Sequence, residues 1–328
     1  MIKIIYMKNF RSIAVAVIFS IAAFSFYQCT NDEGLFSGFE YEPDFANLQE
    51  VHDIMNQNDT VQFTIDDLSI ENNFTGPKGI RLFFPENSCT IGAGDPALPI
   101  VIQLIEVFRR GEIVSHNMQT YANQTALVSG GIFWLTGKDA NGNPVNFNNV
   151  KAIIPYKTDA DGYEYEMLHH TGTTQTKPSG MINSWNTGGA AISFDEEAGV
   201  NGEFAVGDVV SGWNGNEAPY NFDEEGDEAT QFTVQVSNSS GLEKTEVFWL
   251  SDEYSLVSGI PNVEGGAFST YNASVPKGAE GKLIAIALVD GKLNFSTQNV
   301  TVNGDDNFVI EVAPGDISEL MALLNSLN

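Results

Sequence analysis

Basic residues and cysteines are scarce in this chain. Fifteen Lys+Arg stand against 43 Asp+Glu in 328 residues, a formal net charge of −28. That balance excludes nucleic-acid binding through a broad basic face, because attraction to phosphate needs clustered Lys and Arg. Two cysteines make neither a disulfide-rich scaffold nor a four-thiolate zinc site. There is no CxxC pair, no HExxH and no GxSxG elbow, and no P-loop or Rossmann glycine pattern opens a helix. What is present in quantity is apolar: 42% hydrophobic residues and 22 Phe, far too much for a disordered acidic tail.

The first residues bear on the compartment. Met1 to Arg11 carries Lys3, Lys8 and Arg11 and no acid, and the 16 residues Ser12 to Tyr27 carry no charge. A positive stretch followed by a short apolar run is the anatomy of a secretory signal peptide. The run falls below the roughly 18–20 residues that span a bilayer as a helix. It ends at Gln28-Cys29, followed by Thr30-Asn31-Asp32-Glu33-Gly34. A Cys directly behind such a leader resembles the lipobox of bacterial lipoproteins, whose first mature residue is an acylated Cys. The bulky Phe26-Tyr27-Gln28 departs from the small residues usual before that Cys. The acidic pair behind it resembles the surface-export signal of Bacteroidota lipoproteins. This resemblance implies lipidation at Cys29 and an outer-membrane, cell-surface location, with the membrane as partner through acyl chains. Residues 1–28 take three positive charges and no acids from the chain, leaving −31 over 300 residues. Cys89 is then the only other thiol and reads as a small buried hydrophobe.

Periodicity predicts strands almost throughout. Residues 29–60 read as a polar tether, with Leu48, Val51 and Met55 at helical spacing for one short helix. From Val61 the period is two, and Val61, Phe63 and Ile65 alternate with Gln62 and Thr64. Pro99–Phe108 and Leu127–Leu135 are long apolar strands, and Gly130-Gly131 in the second points to a bulge or a close backbone approach. Leu283–Val289 meets Asp290-Gly291, a type I′ turn signal, and returns as Lys292–Phe295. Asn303–Asn307 separates Val300–Val302 from Phe308–Val312 in the same manner. Only the end is helical: Asp316 caps a stretch with Glu319 at the capping-box position, and Leu320, Leu323, Leu324 and Leu327 form an apolar stripe. Short strands at this spacing, without alternating helices, predict an all-β protein of two β-sandwich domains. The expected organisation is a leader (1–28), a tether (29–60), an N-terminal sandwich (61–175), a loop-rich middle segment (176–231), a C-terminal sandwich (232–313) and a short C-terminal helix (314–328).

Three segments carry a family resemblance: Gly79-Ile80-Arg81-Leu82-Phe83-Phe84-Pro85-Glu86-Asn87, Ile102-Gln103-Leu104-Ile105-Glu106, and Leu127-Val128-Ser129-Gly130-Gly131-Ile132-Phe133. They resemble a module of Bacteroidota surface lipoproteins that is similar to the β-sandwich of netrin-receptor and ankyrin spectrin-binding domains. Gly212-Trp213-Asn214 resembles an element that follows that module. Ser274-Val275-Pro276-Lys277-Gly278 resembles the start of a carboxypeptidase-regulatory-like sandwich. The resemblance implies a tethered extracellular module; it does not imply a reaction.

Candidate chemistry is sparse. Asp159, Asp161, Glu164 and Glu166 crowd one loop and strand start, and Ca²⁺ takes six to eight oxygen ligands. EF-hand spacing is absent, so Asp159, Asp161 and Glu164 are a weak metal candidate against a solvated face. Asp223–Glu228 is the densest acid run and reads as a solvated loop or, secondarily, a divalent-ion site. His169-His170 would point to opposite faces of a strand, which disfavours a shared metal. Trp134 and Trp249 lie inside apolar strands and read as core. Trp185 and Trp213 sit among Asn, Gly and Ser and are the candidates for exposed, sugar-stacking aromatics. Asp59-Thr60-Val61 resembles the Bacteroidota O-glycosylation acceptor, with Thr60 as the acceptor. No cofactor is expected. The favoured expectation is a non-catalytic, lipid-anchored surface protein serving adhesion, scaffolding or envelope assembly, with an unidentified protein or glycan partner. A carbohydrate-binding lipoprotein using Trp185 or Trp213 is the alternative, and a hydrolase with an unassigned carboxylate pair follows it.

Overall fold

The hairpin Glu280–Val289/Lys292–Thr301 pairs in unbroken register from Glu280↔Thr301 to Val289↔Lys292. Its two-residue turn has positive φ at both Asp290 (52°) and Gly291 (79°), as a type I′ turn requires. In the computed structural model, which describes residues 44–328 apart from 93, 156–166, 187–189, 192, 196–202, 223–225 and 328, the chain is all-β, with three short α-helices among the described residues.

The first sandwich is built on the 14-residue strand Thr125–Lys138. In its sheet Val61–Ile65, Ile100–Val107, Thr125–Lys138, Gly212–Pro219, Leu168–Lys177, Gly180–Trp185 and Met118–Ala122 are neighbours in that order. The opposing sheet runs Ser193–Asp195, Glu203–Val206, Lys151–Pro155, Arg81–Phe84 and Asn72–Thr75. Ile100, Ile102, Leu104, Phe133 and Leu135 of the first sheet pack on Leu82, Phe84, Ala152, Ile154 and Phe204 of the second. Gly130-Gly131 is a β-bulge: Ser129 faces Glu217 and Ile132 faces Gly215, so two residues oppose Asn216 alone. Gly131 has φ 126°, and a Cβ there would meet Phe108 and Ile154 at 2.8–3.0 Å. Glu106 ties the two sheets together. Its buried carboxylate accepts the backbone N–H of Lys78 and of Ile80, both at 2.7 Å. A Cβ at Gly76 would lie 2.6 Å from that carboxylate. Cys89 is a buried free thiol in the same core, pushed up to about 11 by burial.

In the second sandwich, Asn262–Glu264, Ala267–Ser269, Phe232–Ser237 and Asp306–Glu311 form one sheet. The other contains Val257–Ser258, Thr245–Ser251, Glu280–Val289, Lys292–Thr301 and Ala313–Pro314. Phe232, Val234, Phe268 and Ile310 meet Val247, Trp249, Leu283, Ala285 and Ala287 between them. The turn at 303–307 does not make the second hairpin expected of it. Asp306–Glu311 leaves its predecessor's sheet and pairs in parallel with Phe232–Ser237. The alternation of Phe308 and Ile310 identifies a strand but not its partner.

The helices bring two more corrections. Helix α1 (Leu48–Met55) has Asn47 as N-cap, whose side chain accepts from Glu50 N–H, and it buries Leu48, Val51, His52 and Met55. The expected tether therefore gives way to packed structure by residue 44, because three apolar residues on one helix face have a core to enter. The expected loop-rich middle segment supplies Gly180–Trp185, Glu203–Val206 and Gly212–Pro219 to the first sandwich. These strands are short and carry Asn and Gly that by composition read as turns. Helix α3 (Ile317–Asn325) has the expected capping box, with Asp316 and Glu319 exchanging bonds of 2.8 and 3.1 Å. It packs on helix α2 (Arg110–Ser115) so closely that a Cβ at Gly111 would lie 1.9 Å from the Leu324 carbonyl oxygen. All three helices enter one apolar cluster with Ile132 and Leu127 of the first sandwich and Phe248, Ile284 and Ile286 of the second. Residues 44–328 are accordingly one compact unit.

Candidate functional site

The most concentrated buried polar group lies at this joint. Lys177 ends the strand Leu168–Lys177, Glu246 lies in Thr245–Ser251, Asn117 stands just before Met118–Ala122, and His52 comes from α1. Lys177 Nζ donates to Asn117 Oδ1 at 2.6 Å and to Glu246 Oε1 at 2.9 Å, and it lies 5.0 Å over the Phe248 ring. Ser179 Oγ donates to the same Oε1 at 2.9 Å, while His52 Nε2 meets Oε2 at 2.7 Å. His52 Nδ1 meets the Ser115 carbonyl oxygen at 2.8 Å. Both imidazole nitrogens thus face oxygen atoms, which fixes the ring between the Ser115 carbonyl and Glu246. Asn117 is fixed in turn: φ is 50° and its Nδ2 donates to the Met181 carbonyl at 2.9 Å.

Lys177, Asn117 and Glu246 are 4%, 5% and 2% exposed, so they meet with little intervening solvent. Burial pulls the Lys177 amine below its ordinary value, and the Glu246 charge offsets this only in part. Burial alone would raise the Glu246 carboxyl, but the Lys177 and His52 charges outweigh it and hold it well below the usual carboxylate range. Breaking such a group leaves an uncompensated buried charge, which costs about 3–5 kcal/mol. The joint is also crossed by Arg110 on α2, whose guanidinium donates to the Ser251 carbonyl, and flanked by the His116–Asp59 pair at 3.2 Å.

A second buried group surrounds the bulge. Glu217 Oε1 accepts from Ser129 Oγ at 2.8 Å, while Oε2 has no hydrogen-bond partner among the described residues. Burial raises this carboxyl well above its ordinary value, with the Ser129 bond opposing it. Both side-chain polar atoms of Asn216 and the Trp185 Nε1 are also without partners among the described residues.

The sequence-predicted residues fare differently. Trp185 is not exposed: it is 1% accessible, inside the strand Gly180–Trp185, with its ring against Gly215. Its Asn- and Ser-rich neighbours are strand residues, so a composition that reads as a loop conceals a core position. Trp213 is half-buried against the shared core, edge-on to His116 at 5.6 Å. Trp249 is core, whereas Trp134 is half-buried. His169 and His170 are both buried; His169 Nε2 meets Asn214 Oδ1 at 3.0 Å and His170 Nδ1 meets the Asn186 carbonyl at 2.8 Å. Burial pulls both imidazoles down. Thr60 is exposed, directly before the first strand. The leader 1–28, Cys29, and Asp159, Asp161 and Glu164 lie outside the described residues. Among the described residues no three His, Cys, Asp or Glu side chains gather as a metal site would need. Sequence reasoning missed Lys177, Asn117 and Glu246. The available signal was Glu246 itself, a charge within Thr245–Ser251, all seven residues of which are buried.

Comparison with protein-family models finds no match, and comparison with curated proteins finds none.

Proposed function

We propose that this chain is a non-catalytic, lipid-anchored module of the outer cell surface, serving adhesion, scaffolding or envelope assembly. The observation that carries the reading is Cys29 placed directly behind an apolar leader, in a chain whose only other thiol, Cys89, is buried and held in its protonated form. Acyl chains on Cys29 stabilise membrane attachment by about 0.8 kcal/mol per buried methylene, and two or more give durable anchoring. The described residues begin at Asp44, fifteen residues beyond Cys29. Such a segment reaches at most about 50 Å, so the sandwiches stand close to the membrane while the net charge of −31 on residues 29–328 discourages contact with anionic lipid. Two sandwiches sharing one core offer a partner a single rigid platform. In this reading they are the netrin-receptor-like and carboxypeptidase-regulatory-like modules, and the exposed Thr60 is an acceptor for a glycan. The partner is a surface protein or polysaccharide. Fractionation of cells carrying Cys29→Ala tests the proposal: the variant is expected to leave the membrane fraction, and a variant that stays there like the wild type would refute it.

A further inference from the structure

We propose that the Lys177 side chain is covalently joined to that of Asn117 by an intramolecular amide bond, with Glu246 as the proton carrier. Three observations carry this. The amine nitrogen is already 2.6 Å from the Asn117 carbonyl oxygen and 2.9 Å from a carboxylate oxygen. Nucleophile, electrophile and base are each more than nine-tenths buried, against the face of Phe248, so water does not compete for the carboxamide. The Asn117 carboxamide is oriented by its bond to Met181, and the Glu246 carboxylate by His52 and Ser179, so the groups are held rather than meeting by chance.

The chemistry balances without an oxidant or cofactor. The Lys177 ammonium passes one proton to Glu246 Oε1, 2.9 Å away; burial, which pulls the amine down, favours the transfer, and the Lys177 and His52 charges that hold the carboxyl low oppose it. The neutral Nζ attacks Cγ of Asn117 and forms a C–N bond. Glu246 then delivers its proton to the Asn117 Nδ2, the Cγ–Nδ2 bond breaks and ammonia departs. The second Nζ proton leaves through Glu246 with the ammonia, as ammonium, and Glu246 is regenerated as the carboxylate. His52 and Ser179 are positioning residues in this scheme. The bond would close a loop between positions 60 residues apart and fasten the Leu168–Lys177 strand to the segment behind α2. A surface protein under pulling load gains from such a staple, although the inference does not depend on the anchor.

Mass spectrometry of the folded full-length protein decides it. The expected mass is short of the processed sequence mass by one ammonia, and peptide mapping is expected to find Asn117 and Lys177 in one branched peptide. Lys177→Arg is expected to restore the full mass and to separate the two peptides. Glu246→Gln is expected to do the same in whatever fraction folds. Because the wild type carries the result, a variant that fails to fold does not weaken the test. Wild-type protein that unfolds cooperatively yet shows the full mass, with the two residues in separate peptides, would overturn the proposal. A branched peptide at wild-type yield in Glu246→Gln would overturn the role given to Glu246.

Discussion

Glu217 shows how far a single side chain can depart from what its sequence neighbours announce. It is an acid in Gly-Asn-Glu-Ala, yet it is fully buried, with one oxygen on Ser129 and the other without a partner among the described residues. Burial raises its folded-state value above the ordinary 4.5. A raised value means that its contribution to stability is full below 4.5 and is lost as pH climbs towards the folded value, because the unfolded chain ionises first. Each pH unit in that window costs the wild type about 1.4 kcal/mol. Glu217→Gln removes the titration, so its stability relative to wild type is expected to improve as pH rises above 4.5 towards the folded value in urea unfolding; a difference independent of pH would contradict this. Glu106 makes the opposite case. It stands in a strand motif legible from the start, and its carboxylate answers two buried N–H groups. Glu106→Ala is expected to destabilise by about 1–3 kcal/mol for each donor left unmade, measured by chemical denaturation.

At the scale of elements, local signals were read correctly where the chain alone decides. The Asp290-Gly291 turn, the Gly130-Gly131 bulge and the Asp316/Glu319 capping box are all set by φ preference or by bonds within a few residues. Partner choice is a different matter. Nothing local tells Asp306–Glu311 to cross to the other sheet, and nothing in Asn183-Ser184-Trp185 distinguishes a loop from a strand whose tryptophan fills a neighbour's glycine gap. The α2–α3 contact is of the same kind: Gly111 reads as an ordinary loop glycine until the Leu324 carbonyl is seen against it. Gly111→Ala forces backbone apart there and is expected to cost about 1–3 kcal/mol, visible as a lower thermal midpoint. An unchanged midpoint would mean that the helices do not pack as described.

At the scale of the molecule, the fold class was legible and the joint was not. Strand periodicity is a property of short windows, whereas the shared core is assembled from α1, α2, α3 and both sandwiches across almost the whole described chain. The sandwiches are consequently expected to unfold together. Calorimetry is expected to give one transition, and Phe248→Ala is expected to lower it by about 3–5 kcal/mol rather than split it in two. Two resolved transitions would contradict a shared core. The functional account rests on the amino terminus of the mature protein, and one measurement reaches it directly: mass spectrometry of the amino-terminal peptide of the protein recovered from native envelopes. The account predicts a peptide that begins at Cys29 with acyl chains attached, and an unmodified peptide beginning at any other residue would contradict it.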